Sequence, residues 1–516
     1  MDRRGEHDDA QRPGDWLGRL PWIRWLVAFG LALRTYHYLR GPSLWHDEAA
    51  LVVNVLEKSF AELLGPLWFS EAAPPLFLWL EKAASLLLGD DLYALRLAPF
   101  LASCLALVLF VPVARRWLPE AAVPWAVLFF ACSDRLLWHA CEAKQYSGEV
   151  LAAVAILALY CRSEGWPLAR RSLALAALAP ALLWMAYPGC FLYGGVLLAL
   201  LGQTRQSRRP VDWAAYAALA AIVFGCFFAL LAGPMHAQRD PAIVDCWQDM
   251  QQFADWRHPA SVPGWMIRSQ WELIGYVIDP FGEFLLPLAI VGAVAFWRRK
   301  MFAELNLLAV PIALAFGAAC FGAYPYGGVR VMAYAAPAII MLVAAGAASC
   351  LAWLESRRRA PAWVLALLLM SPAVAALAHV AVPWQRADCD SAASFVHQHR
   401  RNGDRVVANH WEYLYYFRNL GAAFTPLEAF DPERSGRVWL VVTGGAAADR
   451  EPCLSAFASS PWRVLERREF RRTTVLLVER QRGQSQLDVA NRAVANRAAV
   501  NRAAVNRAAV IRTAEQ

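Results

Sequence analysis

Apolar runs close to bilayer length recur from residue 22 to residue 380, and no soluble core can absorb so many of them. A helix rises about 1.5 Å per residue, so about 20 apolar residues cross a hydrocarbon layer of roughly 30 Å. Eleven segments read as spans: 22–39, 94–114, 121–138, 147–161, 172–186, 189–202, 213–233, 283–297, 305–322, 329–354 and 362–380. Composition agrees. Hydrophobic residues make up 58% of the 516, and only 18% are charged, against about a quarter in soluble chains. The expected fold is an α-helical polytopic membrane protein of about eleven transmembrane helices.

The basic residues then give an orientation. Lys and Arg number 50 against 42 Asp and Glu, a net +8. In a membrane protein that excess collects in cytoplasmic loops, so no nucleic-acid partner is expected. With Asp47 placed outside, Arg115-Arg116, Arg162 with Arg170-Arg171, Arg205 with Arg208-Arg209, Arg298-Arg299-Lys300 and Arg357-Arg358-Arg359 all fall inside. The N-terminal segment 1–21 is polar, lacks a cleavage pattern and is expected in the cytoplasm ahead of an uncleaved first span. Outside lie 40–93, 139–146, 234–282 and everything after 380. The apolar stretches at 75–88 and 265–278 suit helices lying in the interface plane.

The chain after the last span changes character. Residues 381–480 read as a small extracytoplasmic α/β domain, with buried strands at 405–409 and 437–442, a hairpin at 462–470 and 473–479, and a helix at 390–399. Residues 481–516 contain a five-residue Asn-Arg-Ala repeat. It spreads its arginines around any helix and is expected to be a low-complexity tail without catalytic role. The transmembrane domain is thus expected at 22–380.

The chemistry sits at the outer mouth. Asp47 and Glu48 follow the first span directly, and carboxylates held beside a membrane are costly enough to mark function. Neighbours on a helix point about 100° apart, so one works while the other positions it. Glu142 and Tyr146 share a helical face, with Lys144 between them and Glu149 a turn on. Arg330 follows Tyr324-Pro325-Tyr326-Gly327-Gly328, where an arginine entering the membrane suits an anionic head group. Each has a plain alternative: a solvated carboxylate at Asp47, a snorkelling Arg330, a solvated Lys144, structural partners for buried acids in Arg34 and Arg96. His46, His139 and His410 fit ordinary interfacial or surface histidines. Most of the 11 cysteines, Cys104 and Cys132 among them, sit in apolar runs as packing residues; Cys246, Cys389 and Cys453 lie outside such runs, with no spacing that assigns a disulfide.

Taken together, an arginine-bearing first span, Leu44-Trp45-His46-Asp47-Glu48-Ala49, Ala73 to Phe77, Leu88-Gly89, Arg96 to Pro99, Glu142 to Tyr146 and Arg330-x-x-x-Tyr334-x-x-Pro337 resemble membrane glycosyltransferases of the C-type fold. The nearest groups are the protein O-mannosyltransferases, the lipid A aminoarabinose transferases and lipopolysaccharide sugar transferases. The resemblance implies a donor sugar on polyprenyl phosphate, since nucleotide sugars are cytoplasmic and these acids face outward. Asp47 would be the general base, with inversion; Glu48 and Glu142 would orient substrate hydroxyls. Arg330 and Lys144 would hold the departing phosphate, with Tyr146, Tyr334 and Arg96 as further substrate-binding residues. Phosphate leaves well without a glycosidase's second acid. No metal or other cofactor is expected; Asp388-Cys389-Asp390 has the Asp-x-Asp form but lies in the outer domain. The 234–282 loop is too small for an inserted carbohydrate-binding domain, which favours a glycolipid or polysaccharide acceptor over a protein. A bacterial inner membrane is the expected site. The alternative is a transporter or flippase of lipid-linked sugars, but mid-span charges are few and no inverted repeat is visible.

Overall fold

A computed structural model describes residues 21–357 and 359–481. The expected cytoplasmic segment and the repeat tail lie outside these, apart from residues 21 and 481. In chain order the helices are α1 (Pro21–Leu39), α2 (His46–Glu57), α3 (Pro75–Leu88), α4 (Leu92–Trp117), α5 (Val123–Cys132), α6 (Asp134–Ala140), α7 (Tyr146–Arg162), α8 (Leu168–Met185), α9 (Gly189–Gln206), α10 (Pro210–Ala232), α11 (Pro234–Ala237), α12 (Pro241–Asp249), α13 (Val262–Val277), α14 (Leu286–Arg298), α15 (Phe302–Cys320), α16 (Ala336–Arg357), α17 (Arg359–Leu369), α18 (Ser371–Ala381), α19 (Cys389–His399), α20 (Glu412–Tyr416) and α21 (Ala447–Phe457). The chain divides into two compact units. One holds the stretches up to 40, 73–237 and 251–383; the other holds 41–72, 238–250 and the chain from 384.

In the first unit, every segment expected to span is helical, but not every helix is long and apolar enough to cross a bilayer. Among the described residues six are, at 92–117, 168–185, 210–237, 302–320, 330–357 and 360–381, or up to eight if each of two bent pairs counts as one span. The expectation of eleven is therefore not met by length and composition. α7 has only 17 residues, α1 carries Arg34 and His37, and α9 ends in the polar run Gln203 to Gln206. The stretch 265–278, expected in the interface, belongs to α13, which with α14 forms a pair bent by 111°. Asp279-Pro280 comes after α13 and its cap residue Ile278, and proline cannot continue the hydrogen-bond ladder. The other pair, α5 with α6, bends by 46° at Ser133. Ser133 Oγ donates to the Val277 carbonyl at 2.8 Å, so the two breaks are tied to each other.

Arg34 explains how a buried guanidinium is tolerated here. Pairing with buried acids was one reading of the sequence, but the side chain bonds neutral oxygens instead. Nε donates to Ser103 Oγ at 2.9 Å, and the two Nη atoms donate to the carbonyls of Gly30, Ala131 and Phe130 at 3.0 Å each. Residues 130 and 131 end α5, where carbonyls lose their helical partners, and a cation there also matches the helix dipole. Elsewhere α14 and α16 pack backbone to backbone. A Cβ on Gly292 would lie 1.9 Å from the Leu342 carbonyl oxygen, and one on Gly346 1.9 Å from that of Leu288. Only glycine permits this approach.

The second unit carries a five-stranded sheet of β1 (Arg405–Ala408), β2 (Phe424–Pro426), β3 (Arg437–Thr443), β4 (Trp462–Phe470) and β5 (Thr473–Arg480) in the order β2-β1-β3-β5-β4. β1 pairs in parallel with β2 and β3; β5 runs antiparallel to β3 and β4. The expected strands, hairpin and helix are all present. β3 is buried from Val438 onward, as a strand covered on both faces should be. Its side chains join Leu454 and Phe457 of α21 and Trp462 of β4 in one core. Cys389 is buried in this unit, and all 11 cysteines of the chain are free, so no disulfide links Cys246, Cys389 and Cys453.

Candidate active site

The acid pair belongs to the second unit. Leu44 N donates to the Tyr416 hydroxyl at 2.8 Å, and the chain then turns into α2, whose first turn carries Asp47 and Glu48. Carboxylates favour a helix N-terminus, where backbone N–H groups lack partners. The two side chains diverge. Glu48 reaches back to the Trp45 N–H at 3.4 Å and accepts from Arg386 Nη1 at 2.7 Å. Its side chain is fully buried, and that of Arg386 is 5% exposed. Asp47 keeps 13% of its side chain exposed and lies 3.3 Å from His46 Nε2.

Residues after β1 extend this cluster. Trp411 Nε1 donates to the His46 carbonyl at 2.7 Å, and the His46 and His410 rings lie 5.8 Å apart. His410 forms a close ion pair with the buried Glu412. Burial pushes the Glu412 carboxyl up, but the charge and hydrogen bond of His410 outweigh it and hold the group below the usual carboxylate range. Phe69, 5.8 Å from the Trp411 ring, sits at φ 63°, and Ser70 follows at φ 54°. Two successive non-glycine residues in the left-handed region are strained. Buried Asn54 holds the turn through Trp68 N at 2.7 Å, and Ser70 Oγ donates to Asp240 Oδ2 at 2.6 Å. That hydrogen bond keeps the Asp240 carboxyl below its ordinary range.

The other sequence-predicted residues belong to the first unit. Glu142, Lys144 and Tyr146 lie in the turn from α6 into α7, and all three are buried. Glu142 accepts from His139 Nδ1 at 2.7 Å, and His139 Nε2 meets the Tyr276 hydroxyl at 2.6 Å. Ser147 Oγ donates to the His139 carbonyl at 2.8 Å, and the Tyr146 ring lies 4.7 Å from the imidazole. His139, expected at the surface, is 4% exposed with both nitrogens engaged. Arg330 opens a short 3-10 helix to Ala335 that packs on α7. Tyr334 in that helix donates to the Pro311 carbonyl at 3.4 Å. Arg96 is buried in α4, which packs on α6 and α7. Asp388-Cys389-Asp390 starts α19, where Asp388 accepts from Ser391 N at 3.2 Å as a helix cap. Burial, with Asp388 beside it, raises the Asp390 carboxyl.

Sequence reading missed Arg386, Glu412 and Tyr276. Arg386 is 338 residues from Glu48, and Tyr276 is 137 from His139. No local spacing signals such partners.

No family model matches the chain, and no curated protein matches it in sequence. Its architecture does have solved counterparts. It superposes on ArnT of Cupriavidus metallidurans in the apo state with a TM-score of 0.51 at 13% identity, covering 89% of this chain and 98% of that one. The same protein bound to undecaprenyl phosphate gives 0.52 at 14% identity with the same coverage. The fold is that of the C-type membrane glycosyltransferases, and the chain is an integral membrane protein. ArnT, to which it is similar over almost its whole length, is a lipid A aminoarabinose transferase.

Proposed function

We propose that this chain is an integral membrane glycosyltransferase that moves a sugar from a polyprenyl-phosphate donor to an extracytoplasmic acceptor with inversion, in a bacterial inner membrane with its N-terminus in the cytoplasm. The observation that carries the reading is the split of the acid pair. Asp47 keeps 13% of its side chain exposed beside His46, while the fully buried Glu48 is locked to Arg386 and holds the turn. In this reading Asp47 takes the proton from an acceptor hydroxyl as it attacks the anomeric carbon, and the lipid phosphate leaves. Lys144, Arg330 and Arg96 supply positive charge for that phosphate; Glu142, Tyr146 and Tyr334 shape the donor side. The fold likeness to a protein solved with undecaprenyl phosphate supports a lipid-phosphate donor. The acceptor is a glycan, lipid or protein, with a glycolipid or polysaccharide favoured, and the reaction calls on no metal or other cofactor. The flippase alternative has no supporting neighbour.

Membranes containing the chain, given radiolabelled polyprenyl-phosphate sugars, should transfer label to extracytoplasmic material. Asp47→Asn should abolish transfer while the protein remains inserted. Unchanged transfer by that variant would remove Asp47 from the reaction, and activity with nucleotide sugars alone would overturn the donor assignment.

A further inference from the structure

The transfer above uses Glu142 on the donor side but gives no task to His139 or Tyr276, which form one hydrogen-bonded chain with it. This chain is a carboxylate, an imidazole and a phenol in series, at 2.7 and 2.6 Å, with the first two buried and Tyr276 half-buried. We propose that it is a proton-controlled donor: protonation of His139 turns the Tyr276 hydroxyl outward to bind an anionic oxygen, such as the phosphate of a lipid-linked sugar.

Which atoms donate and which accept decides the direction of the chain. Glu142 as a carboxylate only accepts, so it takes the Nδ1–H of His139. With His139 neutral, Nε2 has a lone pair and accepts the Tyr276 proton. With His139 protonated, Nε2–H donates to the Tyr276 oxygen, and the phenolic proton must find another acceptor. An anion is the natural one. Arg135 sets its guanidinium 5.6 Å from the Tyr276 ring centroid, and its Nε is buried without a hydrogen-bond partner. A phosphate oxygen would satisfy both groups with charge-assisted bonds. The charged and titratable neighbours include buried Arg96 on α4, which packs on α6 and α7. Asp134 of α6 pairs with His379 of α18 at 3.3 Å, and His37 of α1 lies near that histidine. Asp279, after α13, shares the electrostatic field of Asp134, Arg135 and His379. Lys144 follows Glu142 in the same turn, its N–H bonded to the Glu142 carbonyl at 2.8 Å, and adds positive charge. Tyr146 of α7 lies against the imidazole.

This inference rests on the phosphate-bearing donor proposed above, and the test separates the two. The full chain in detergent is labelled at its ten histidines, and His139 is followed by NMR through a pH titration, its signal assigned with His139→Gln. The probes are undecaprenyl phosphate and inorganic phosphate. A ligand that prefers the protonated state must raise the His139 midpoint, and a rise of one pH unit equals tenfold tighter binding. The expected result is a rise of about one unit in wild type and none in Tyr276→Phe, which keeps the ring against Arg135. A rise that persists in Tyr276→Phe, or no rise with either probe, overturns the proposal. If inorganic phosphate raises the midpoint and undecaprenyl phosphate does not bind, the switch stands and the lipid donor falls. If undecaprenyl phosphate binds without moving the midpoint, the switch falls and the donor reading stands.

Discussion

Arg386→Met tests whether the Asp47 turn depends on a buried charge. The substitution keeps a long apolar stem but removes the guanidinium that meets Glu48 at 2.7 Å. Glu48 is fully buried on its side chain, so water cannot replace the lost partner without opening the unit. Breaking one side of such a pair costs about 3–5 kcal/mol. Glu48→Gln removes the opposite charge and retains a side chain that can accept from Trp45 N; it should cost about 1–3 kcal/mol, the range for a charged hydrogen bond. The double variant leaves neither charge, and its loss should fall about 2 kcal/mol or more short of the summed singles. Denaturant unfolding in detergent micelles, followed by circular dichroism, gives all three values. Transfer activity should fall with Arg386→Met, because the turn that carries Asp47 loses its anchor. Additive losses, or a cost under about 1 kcal/mol for Arg386→Met, would refute the view that the ion pair holds this turn.

Gly346→Ala drives a Cβ to 1.9 Å from a backbone oxygen, so α14 and α16 must part; a loss of about 3 kcal/mol or more in thermal unfolding is expected, and Gly292→Ala should match it. Arg34→Met strips the α5 carbonyls of their donors and should cost about 2–5 kcal/mol in the same assay, with Arg34→Lys recovering only part, since an ammonium lacks the planar fork. Glu412 is held below the usual carboxylate range, so its contribution to stability is fully present above about pH 4.5 and is lost as pH falls through the lower folded value. Unfolding curves of wild type and Glu412→Gln should therefore converge in acid, and a gap that stays constant with pH would contradict the pairing with His410.

Periodicity and run length carried the helical architecture, because a bilayer imposes its thickness on sequence directly. The α/β region was legible for the same kind of reason. β3 is a continuous apolar run and β4–β5 has hairpin spacing, whereas β2 is three half-buried residues that leave no pattern. Three of the eleven expected spans, in α1, α7 and α9, fall short in length or apolar character, and two others are bent pairs. Ser133 and the Asp279-Pro280 step interrupt apolar runs whose hydropathy continues across them. The divergence of Asp47 from Glu48 followed from helix geometry alone. Which acid would be locked did not, because that depends on Arg386, brought in by the fold of the whole second unit. His139 read as an interfacial or surface histidine for the same reason: its phenol partner arrives from α13.

The strand order β2-β1-β3 means that the chain leaves β1 to one side and returns to the other, so the carboxyl ends of β1 and β3 flank a natural crevice of an open sheet. Asn409 clasps that edge. Its side chain donates to the Thr443 carbonyl at 2.8 Å and accepts from the Thr443 N–H at 2.8 Å, extending the ladder by one rung beyond the strands. Immediately past the clasp come His410, Trp411 and Glu412. The rung marks where the framework ends: the sheet keeps its register up to Asn409, and the next three residues are placed by their own contacts, Trp411 on the His46 carbonyl and His410 on Glu412. A change at Asn409 therefore reaches beyond the sheet, because the same rung sets where the His410–Glu412 pair and Trp411 begin.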